Sequence, residues 1–426
     1  MLSAFIIFLS CTFQRFILLL FAPVLLLVPP SRRRIAFELK EKDGPFSQPF
    51  LTSVPRAYHL SSEGEWEQVW PLIAVDIAQR FPVEIIITSP SLEKKLEALK
   101  LNYRADQVRF LRLPLLTAPF RCVQAWSQAR SLYLCRYDFY PDLLALGLRL
   151  KRRGGEFGLL AASLKNKGNG VVSHSVWRWV HGLFTQRLLA SESERIRFET
   201  MPRVSYEDVF DFRSLQVIKR LCDSGAVLQR MPTLLTWLEA VPREKRLIMG
   251  SCWPHDIFLL KGLSLDWRVL LAPHDFEESG LKLMQETLEA FGFKVERSNG
   301  EVEIQAETQI VLLLKRQVLV ELYSRAGFAY IGGGFGRSIH SVKEPLFAGC
   351  AVITGPKIYR STEYEEGMAT CPERLRTIQT EKEMAKALLE MTSFAKGPPA
   401  DYTKSRQQLE QAALSIRTQL FRGPLA

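Results

Sequence analysis

Cysteine is sparse in this chain, and its distribution excludes two kinds of site. There are only seven in 426 residues, an odd number. No pair has CxxC spacing, and none lies near histidines in a metal-ligand pattern. The sequence therefore predicts no disulfide framework and no metal site. It indicates a reduced catalytic body that faces the cytosol.

Low-complexity tracts and short internal repeats are also absent, which excludes solenoids and disordered arrays. The formal net charge of +11 indicates an anionic partner. Three partners are open on charge alone: nucleic acid, a membrane surface, and a phosphorylated or sialic-like substrate. Nucleic acid is the weakest of them, because the bases do not alternate with aromatic residues in a recognised binding module.

The N-terminus has neither a basic segment before its apolar run nor a small-residue cleavage site after it, so it does not resemble a signal peptide. Residues 2–28 are apolar except around Gln14 and Arg15, and SRRR follows at 31–34. A bilayer core of ~30 Å takes about 20 residues. We predict a membrane anchor over residues 1–35, at the cell inner membrane, with the arginines on the cytoplasmic side. A full span and an interface-lying helix are both open, and a buried helix is the least favoured reading.

Strand-like and helix-like segments alternate twice along the chain. Apolar runs at 83–91, 108–115, 131–139 and 156–164 alternate with helical patterns, and six further strand candidates begin near residue 245. Such alternation predicts parallel sheets covered by helices. We therefore predict an α/β fold with two Rossmann-like domains facing a central cleft, at 40–205 and 245–400. Residues 206–244 are the predicted connector, and 401–426 form a C-terminal helix.

The sequence YIGGGFGRSIHSVKEPLFAGCAVITGP (330–356) is the clearest motif in the second domain. Glycines at a strand end let the backbone approach a phosphate, and the next helix adds partial positive charge. The spacing is not the GxGxxG of a dinucleotide oxidoreductase. The predicted donor-binding residues here are Gly333, Gly334, Gly336, Arg337 and His340, with Glu344 placed to accept hydrogen bonds from a ribose.

Two further stretches, GSCWPHD (250–256) and APHDFEES (272–279), follow earlier strands of the same domain. Small residues beside an aromatic ring and a histidine suit a nucleotide-facing rim. The residues predicted there are Gly250, Ser251, Trp253, Pro273 and His274. The alternative reading is that Trp253 is a core residue and His274 a surface loop residue.

Acidic side chains mark two places in the first domain. SSEGEWEQVWP (61–71) contains Glu63, Glu65 and Glu67, and CRYDFYPDLL (135–144) places Asp138 after a strand. Glu63 and Glu67 are predicted to favour a helix start through the helix dipole. Asp138 either caps the helix that begins near Pro141 or faces the cleft.

These motifs resemble, in the same order, those of the 3-deoxy-D-manno-octulosonic acid (Kdo) transferases. AYHLSSEGEWEQVWPLI is similar to the motif that carries the family's catalytic base, which Glu65 matches, with Ser62 and Gly64 beside it. CRYDFYPDLL resembles the second acidic motif, so Asp138 would contact substrate. The two short stretches above and the 330–356 block are similar to the family's donor-side motifs.

The resemblance implies a GT-B type glycosyltransferase that inverts configuration without a metal or cofactor. CMP-Kdo would be the donor and a lipid A precursor, lipid IVA, the acceptor. The sequence departs from the family pattern in three places: Asp138 replaces a glutamate, Ser341 replaces an asparagine, and residues 314–317 lack the usual Asp and Gly. Two alternatives are open: another membrane-associated GT-B enzyme that uses a UDP-sugar, and a noncatalytic paralogue that binds nucleotide or lipid.

Overall fold

The computed structural model describes residues 2–40, 43–136, 138–164, 171–199, 206, 208–359, 361–397 and 403–420. Its internal contacts divide the chain into two units. Unit 1 comprises residues 1–213 and 411–426, and unit 2 comprises residues 214–410.

Unit 1 is an α/β unit built on one seven-stranded sheet. Its strands are β1 (Val54–Leu60), β2 (Val83–Ile87), β3 (Val108–Arg112), β4 (Ala129–Cys135), β5 (Phe157–Ala162), β6 (Gln186–Leu189) and β7 (Asp208–Val209). Its helices are α1 (Leu2–Leu27), α2 (Pro29–Glu38), α3 (Glu63–Ala78), α4 (Glu93–Asn102), α5 (Val123–Trp126), α6 (Pro141–Arg152), α7 (Val171–His181) and α8 (Glu192–Glu199). The strand order is β3-β2-β1-β4-β5-β6-β7, and every neighbouring pair is parallel.

Burial on both faces explains why these strands read as continuous apolar runs rather than alternating ones. All five residues of β2 and all six of β5 are buried. A parallel sheet needs helical crossovers, and those helices cover both of its faces. The apolar sequence VEIII therefore folds as a central strand and not as one side of a two-faced ribbon.

Unit 2 repeats the architecture with a second sheet of seven parallel strands. They are β8 (Arg246–Cys252), β9 (Arg268–Pro273), β10 (Val295–Ser298), β11 (Ile310–Leu313), β12 (Phe328–Ile331), β13 (Ala351–Thr354) and β14 (Leu375–Thr377), in the order β10-β11-β9-β8-β12-β13-β14. The remaining helices are α9 (Phe212–Cys222), α10 (Ser224–Leu228), α11 (Pro232–Glu239), α12 (Glu278–Ala290), α13 (Leu319–Tyr323), α14 (Lys343–Phe347), α15 (Thr362–Thr370), α16 (Glu381–Glu390), α17 (Thr392–Ala395) and α18 (Thr403–Leu420).

In each sheet the strand order reverses once, beside the first strand. Unit 1 reverses between β1 and β4, and unit 2 between β8 and β12. Open parallel sheets bind ligands outside the carboxyl ends of the strands at this point, because successive crossovers run to opposite faces and leave a crevice. The crevices therefore lie beside residues 61–65, Arg136 and Asp138 in unit 1, and beside residues 251–253 and 332–336 in unit 2.

The predicted α/β fold with two Rossmann-like parallel sheets is confirmed. Two details differ. Residues 186–189 end the stretch VWRWVHGLFTQRLL (176–189), whose aromatic and basic residues have helical spacing, but they form β6 because their side chains complete the buried sheet next to β5. The short strand β14, which the sequence analysis missed, adds a seventh strand to unit 2. The segment predicted as a connector contains β7, α9, α10 and α11. The cleft between the two predicted domains stays a prediction.

Helix α1 is 26 residues long and apolar enough to cross a membrane. Only Ile7 and Cys11 are buried along it. One face packs on α6, where Arg15 Nη2 lies 2.7 Å from Asp142 Oδ1. That ion pair gives the arginine in this apolar run a partner.

Asp76 is a fully buried acid of unit 1 that joins β1, α3 and α18. Its carboxylate is fully buried on α3 and accepts three bonds: from Arg56 Nη1 at 2.8 Å, from Tyr58 Oη at 2.7 Å and from Arg417 Nη2 at 2.9 Å. Arg56 and Tyr58 lie on β1, and Arg417 lies on the part of α18 that belongs to unit 1. A buried carboxylate is tolerated because its lone pairs are satisfied.

Replacing Asp76 with Ala should destabilise unit 1 by about 3–5 kcal/mol, because two guanidinium groups lose their buried partner. Chemical denaturation measures this change in the free energy of unfolding. Glu67→Ala on the same helix is the control and should cost less than about 1 kcal/mol. Equal effects of the two substitutions would contradict the role given to Asp76.

Candidate active site

Glu65 lies at the carboxyl end of β1, in the first turn of α3, and its side chain is only 4% exposed. Its Oε2 accepts hydrogen bonds from the Ser61 amide at 2.7 Å and the Ser61 hydroxyl at 2.8 Å. Ser62 caps the helix, its hydroxyl accepting from the Glu65 amide at 3.3 Å. This arrangement fixes the carboxylate at the strand-to-helix turn, beside the point where the strand order reverses.

Burial raises the pKa of Glu65 to about 7. The Ser61 bonds favour the ionised form, as does the charge of Arg136, whereas the charge of Asp138 opposes it. Desolvation outweighs the two bonds because it penalises the ionised form directly. A carboxylate that titrates near neutrality is suited to accept a proton as a general base.

Asp138 lies close enough to Glu65 for its charge to raise the pKa of Glu65. The residue before α6 is Tyr140, which makes no side-chain cap, so Asp138 is not the cap of that helix. Arg136 adopts a left-handed conformation with φ of 60°, and its Nε donates to Gln68 Oε1 at 3.1 Å. The end of β4 therefore brings Arg136 and Asp138 beside Glu65, as the strand order requires.

The other predicted residues of the 61–67 turn separate by their surroundings. A side chain at Gly64 would meet no atom within 4 Å, so packing within unit 1 does not require glycine there. The open space above Gly64 leaves room for a substrate to approach. Glu63 and Glu67 are half-buried on α3, and Glu63 lies in its first turn, where an acid favours the helix dipole.

His59 lies below this site on β1. It is fully buried, and neither ring nitrogen has a hydrogen-bond partner among the described residues. Its ring makes an edge contact with Tyr140 at 5.7 Å between centroids, and burial lowers its pKa to about 3. His59 is therefore neutral at physiological pH and contributes packing rather than charge.

In unit 2, three rings predicted from separate motifs stack at the carboxyl ends of the strands. Trp253 follows β8, His274 follows β9 and His340 follows β12. The centroids of Trp253 and His274 are 4.4 Å apart, and those of His274 and His340 are 4.7 Å apart. All three side chains are half-buried, so neither alternative, a core Trp253 or a lone surface His274, describes them.

Burial lowers the pKa of His274, and burial together with His274 lowers the pKa of His340 to about 4. Both rings are thus neutral at pH 7. Each offers one N–H donor and one acceptor nitrogen, without a positive charge. His340 can donate a hydrogen bond to a phosphate but cannot neutralise it.

The glycine-rich turn after β12 is packed against its neighbours by backbone contact. A side chain at Gly332 would lie 2.2 Å from the Ser251 carbonyl oxygen, and one at Gly334 would lie 2.6 Å from Gly355 Cα. Gly333 has a φ of 91°, which favours glycine. The motif is glycine-rich because the chain must pass this closely beside the ends of β8 and β13.

Two amides of this turn already have partners within the protein. Gly333 N–H bonds to the buried carboxylate of Asp256, and Gly336 N–H donates to the Gly333 carbonyl at 3.0 Å. The predicted phosphate contact therefore falls on Gly334 and on Arg337, whose side chain is exposed. Gly333 and Gly336 shape the turn instead.

The other donor-side residues border the same crevice. Gly250 lies near the end of β8. It leaves space for the Tyr323 hydroxyl, since a side chain at this position would lie 2.0 Å from that oxygen. Ser251 next to it is left-handed with φ of 53°, and Pro273 is buried at the end of β9. Glu344 lies in the first turn of α14, and the pKa of Tyr323 is raised by burial and, to a lesser extent, by the charge of Glu344.

Two departures from the resembled family have a visible structural role. Ser341 Oγ donates to Glu363 Oε2 at 2.6 Å, so this position ties the turn to the start of α15. Gln317 has a φ of 65° within the segment where a glycine was expected. The backbone there keeps a conformation that glycine adopts most easily.

Sequence reasoning missed Ser61, Arg136 and Asp256. Ser61 is next to the predicted Ser62. Which of the two hydroxyls donates to the Glu65 carboxylate depends on the residue at which α3 begins. Asp256 is the last residue of the quoted stretch GSCWPHD but was given no role there. Its carboxylate accepts from Trp253 N–H at 2.8 Å and Tyr330 Oη at 2.9 Å, so it positions Trp253.

The two sheets and their reversal points define the class of fold, a two-unit α/β protein of the GT-B type. The chain matches no protein-family model and no curated protein sequence. Solved structures do resemble it. UDP-GlcNAc 2-epimerase from Neisseria meningitidis, bound to UDP-GlcNAc, has 12% identity and a TM-score of 0.55, over 85% of this chain and 100% of that one.

A second UDP-GlcNAc 2-epimerase, from Methanocaldococcus jannaschii, has 11% identity and a TM-score of 0.53, over 84% of this chain and 99% of that one. The C-terminal CMP-Kdo binding domain of WaaA from Acinetobacter baumannii has 14% identity, over 45% of this chain and 96% of that domain. Its TM-score of 0.34 is too low to support a conclusion about the fold. At these identities the epimerases show the fold and not the reaction.

The raised pKa of Glu65 predicts a specific pH dependence of stability. In the unfolded chain the carboxyl ionises near its usual value of 4.5, and in the folded chain near 7. Its contribution to stability is therefore fully present below pH 4.5 and is lost as the pH rises towards 7. Glu65→Gln removes this dependence, so the variant should gain stability relative to wild type across that interval.

Thermal unfolding of both proteins at a series of pH values measures this difference. Glu67→Gln, half-buried on the same helix, is the matched control and should follow the wild-type curve. Parallel curves for wild type and Glu65→Gln would show that the carboxyl has an ordinary pKa.

Proposed function

We propose that this protein is an inverting, metal-independent glycosyltransferase that moves Kdo from CMP-Kdo to a lipid A precursor, lipid IVA. The observation that carries the proposal is Glu65: a buried carboxylate with a pKa of about 7, held by Ser61 at the reversal point of a GT-B type unit. It stands in the motif that resembles the catalytic-base motif of the Kdo transferases.

In this proposal Glu65 removes the proton from an acceptor hydroxyl. The hydroxyl oxygen forms a bond to the anomeric carbon of Kdo as the bond from that carbon to the CMP phosphate oxygen breaks. CMP departs with the electron pair, and attack from the opposite face inverts the configuration. Asp138 keeps negative charge near Glu65, which raises its proton affinity, and orients a sugar hydroxyl.

The donor would bind in the unit 2 crevice. Trp253 offers a face on which a cytosine base can stack, and the neutral His340 and the exposed Arg337 offer donors to the phosphate. Glu344 would accept hydrogen bonds from the ribose. Donors placed before the reaction act on the charge that develops on the leaving phosphate.

The N-terminal helix supports a lipid acceptor. The N-terminal half of α1 contacts the rest of unit 1. Trp179 Nε1 donates to Ser3 Oγ at 3.0 Å, and Arg15 pairs with Asp142. The opposite face exposes Phe5, Phe8, Phe13 and Phe16. We infer that α1 lies along the membrane surface with unit 1 attached, on the cytoplasmic side, where a lipid-borne acceptor is found.

Transfer of Kdo from CMP-Kdo to lipid IVA by the purified full chain tests the proposal. Glu65→Ala should lower kcat by about 10²- to 10⁴-fold, the contribution of a general base. Glu65→Gln should be as slow, because its amide keeps the size of the side chain and loses the base. Mass spectrometry of the lipid product measures the transfer.

Glu67→Gln is the matched control and should retain wild-type turnover. Near-wild-type turnover in Glu65→Gln would overturn the base assignment while leaving the reaction intact. A chain that binds CMP but transfers no sugar would instead be the noncatalytic paralogue.

A UDP-sugar is the rival donor, because the fold is shared along nearly the whole chain with two UDP-GlcNAc 2-epimerases. A nucleotide that binds only the folded protein raises its unfolding temperature. We expect CMP to protect the protein from thermal unfolding at concentrations where UDP does not. The reverse order would replace CMP-Kdo with a UDP-sugar as donor.

A further inference from the structure

A second cavity of unit 1, of about 720 Å³, lies at the opposite edge of its sheet from Glu65. It is bordered by the starts of β1, β4 and β5 and by the C-terminal end of α6, with four arginines, Arg56, Arg130, Arg149 and Arg153, on its walls. Glu156 is the one acid among its described lining residues.

Arg149 and Arg153 bring positive charge to the cavity. Neither has an ion-pair partner in the described part of the chain, and Arg149 Nε is buried without a hydrogen-bond partner there. Burial and the charge of Arg153 lower the pKa of Arg149. Two guanidinium groups that repel each other would be stabilised by an anion placed between them.

The other charged groups of the wall are already bonded. Arg56 is paired with Asp76, and Arg130 Nε donates to Ser53 Oγ at 3.2 Å. Glu156 Oε2 accepts from Thr185 Oγ1 at 2.8 Å. This acid is therefore held against the sheet rather than paired with Arg149 or Arg153 in the ion pairs described.

This cavity is distinct from the site at Glu65. Pro55 and Arg56 line it at the start of β1, whereas Glu65 follows the end of that strand. Seven residues of extended strand separate the two places by about 20 Å. An occupant of the cavity therefore cannot touch the reacting atoms.

We propose that this cavity, the Arg149 cavity, binds a phosphate-bearing small molecule or headgroup through the guanidinium groups of Arg149 and Arg153. Arginine binds phosphate with paired, charge-assisted hydrogen bonds. The volume suits a phosphorylated molecule of sugar or nucleotide size. Phe81 and Tyr133 supply an apolar wall for the rest of such a molecule.

Equilibrium dialysis of the detergent-solubilised full chain against radiolabelled inorganic phosphate tests the proposal. Arg149→Gln combined with Arg153→Gln should weaken binding by at least about tenfold, since each lost charge-assisted bond is worth a factor of that order. Arg152→Gln, exposed on the same helix and outside the cavity lining, is the matched control. Phosphate bound elsewhere is common to all variants and cancels in the comparison.

Dioctanoyl phosphatidic acid in a parallel titration identifies the source of the phosphate. Tighter, arginine-dependent binding of the lipid indicates a membrane headgroup, and equal binding of inorganic phosphate indicates a free metabolite. Single Arg153→Gln, an exposed position, guards against loss of folding in the double variant and should give part of the effect. Equal affinity in wild type and the double variant, or equal loss in Arg152→Gln, would overturn the proposal.

Discussion

The buried carboxylate of Asp76 is the interaction on which the geometry of unit 1 depends. It bonds two residues of β1 and one of α18, while its own helix, α3, begins with the turn that carries Glu65. The carboxylate of Asp76 thus joins β1 and α3, the strand and helix that flank Glu65. It lies about three helical turns beyond Glu65 along α3. Because a buried charge without partners is costly, α3 has one register against β1 in which the charge is satisfied. The position of Glu65 follows from that register.

Both units carry strain at the point where their strand order reverses. Arg136 follows β4 and Ser251 lies in β8, and both are non-glycine residues with positive φ. Such conformations cost about 1–3 kcal/mol and persist where the surroundings enforce them, which is common at functional sites. Arg136 lies beside Glu65, the proposed base, and Ser251 lies near Trp253, the proposed stacking residue. The two crevices are therefore built by the same device on unrelated sequences.

The sequence predicts the sheets well and the site in part, for physical reasons. Buried parallel strands such as β2 and β12 have continuous apolar runs that no other element explains, whereas β14 has three residues and too little pattern. Glu65, Trp253, His274 and His340 follow strand ends, so the rule for parallel sheets brings them to the expected edge. Ser61 and Asp256 were missed because their importance lies in hydrogen bonds, which one residue of register decides. The hydrogen bond of the Gly333 amide was missed for the same reason, because its partner, Asp256, is remote in sequence.

The neutral state of His274 and His340 has a consequence for how acidity acts on the molecule. Burial lowers the pKa of both rings, to about 4 for His340, so neither ring gains a charge before a free histidine would. His340 then stays neutral over the range near pH 7 in which Glu65 changes its charge. In the proposed reaction, mild acidification would therefore protonate the base at Glu65 without adding charge to His340 in the proposed donor crevice.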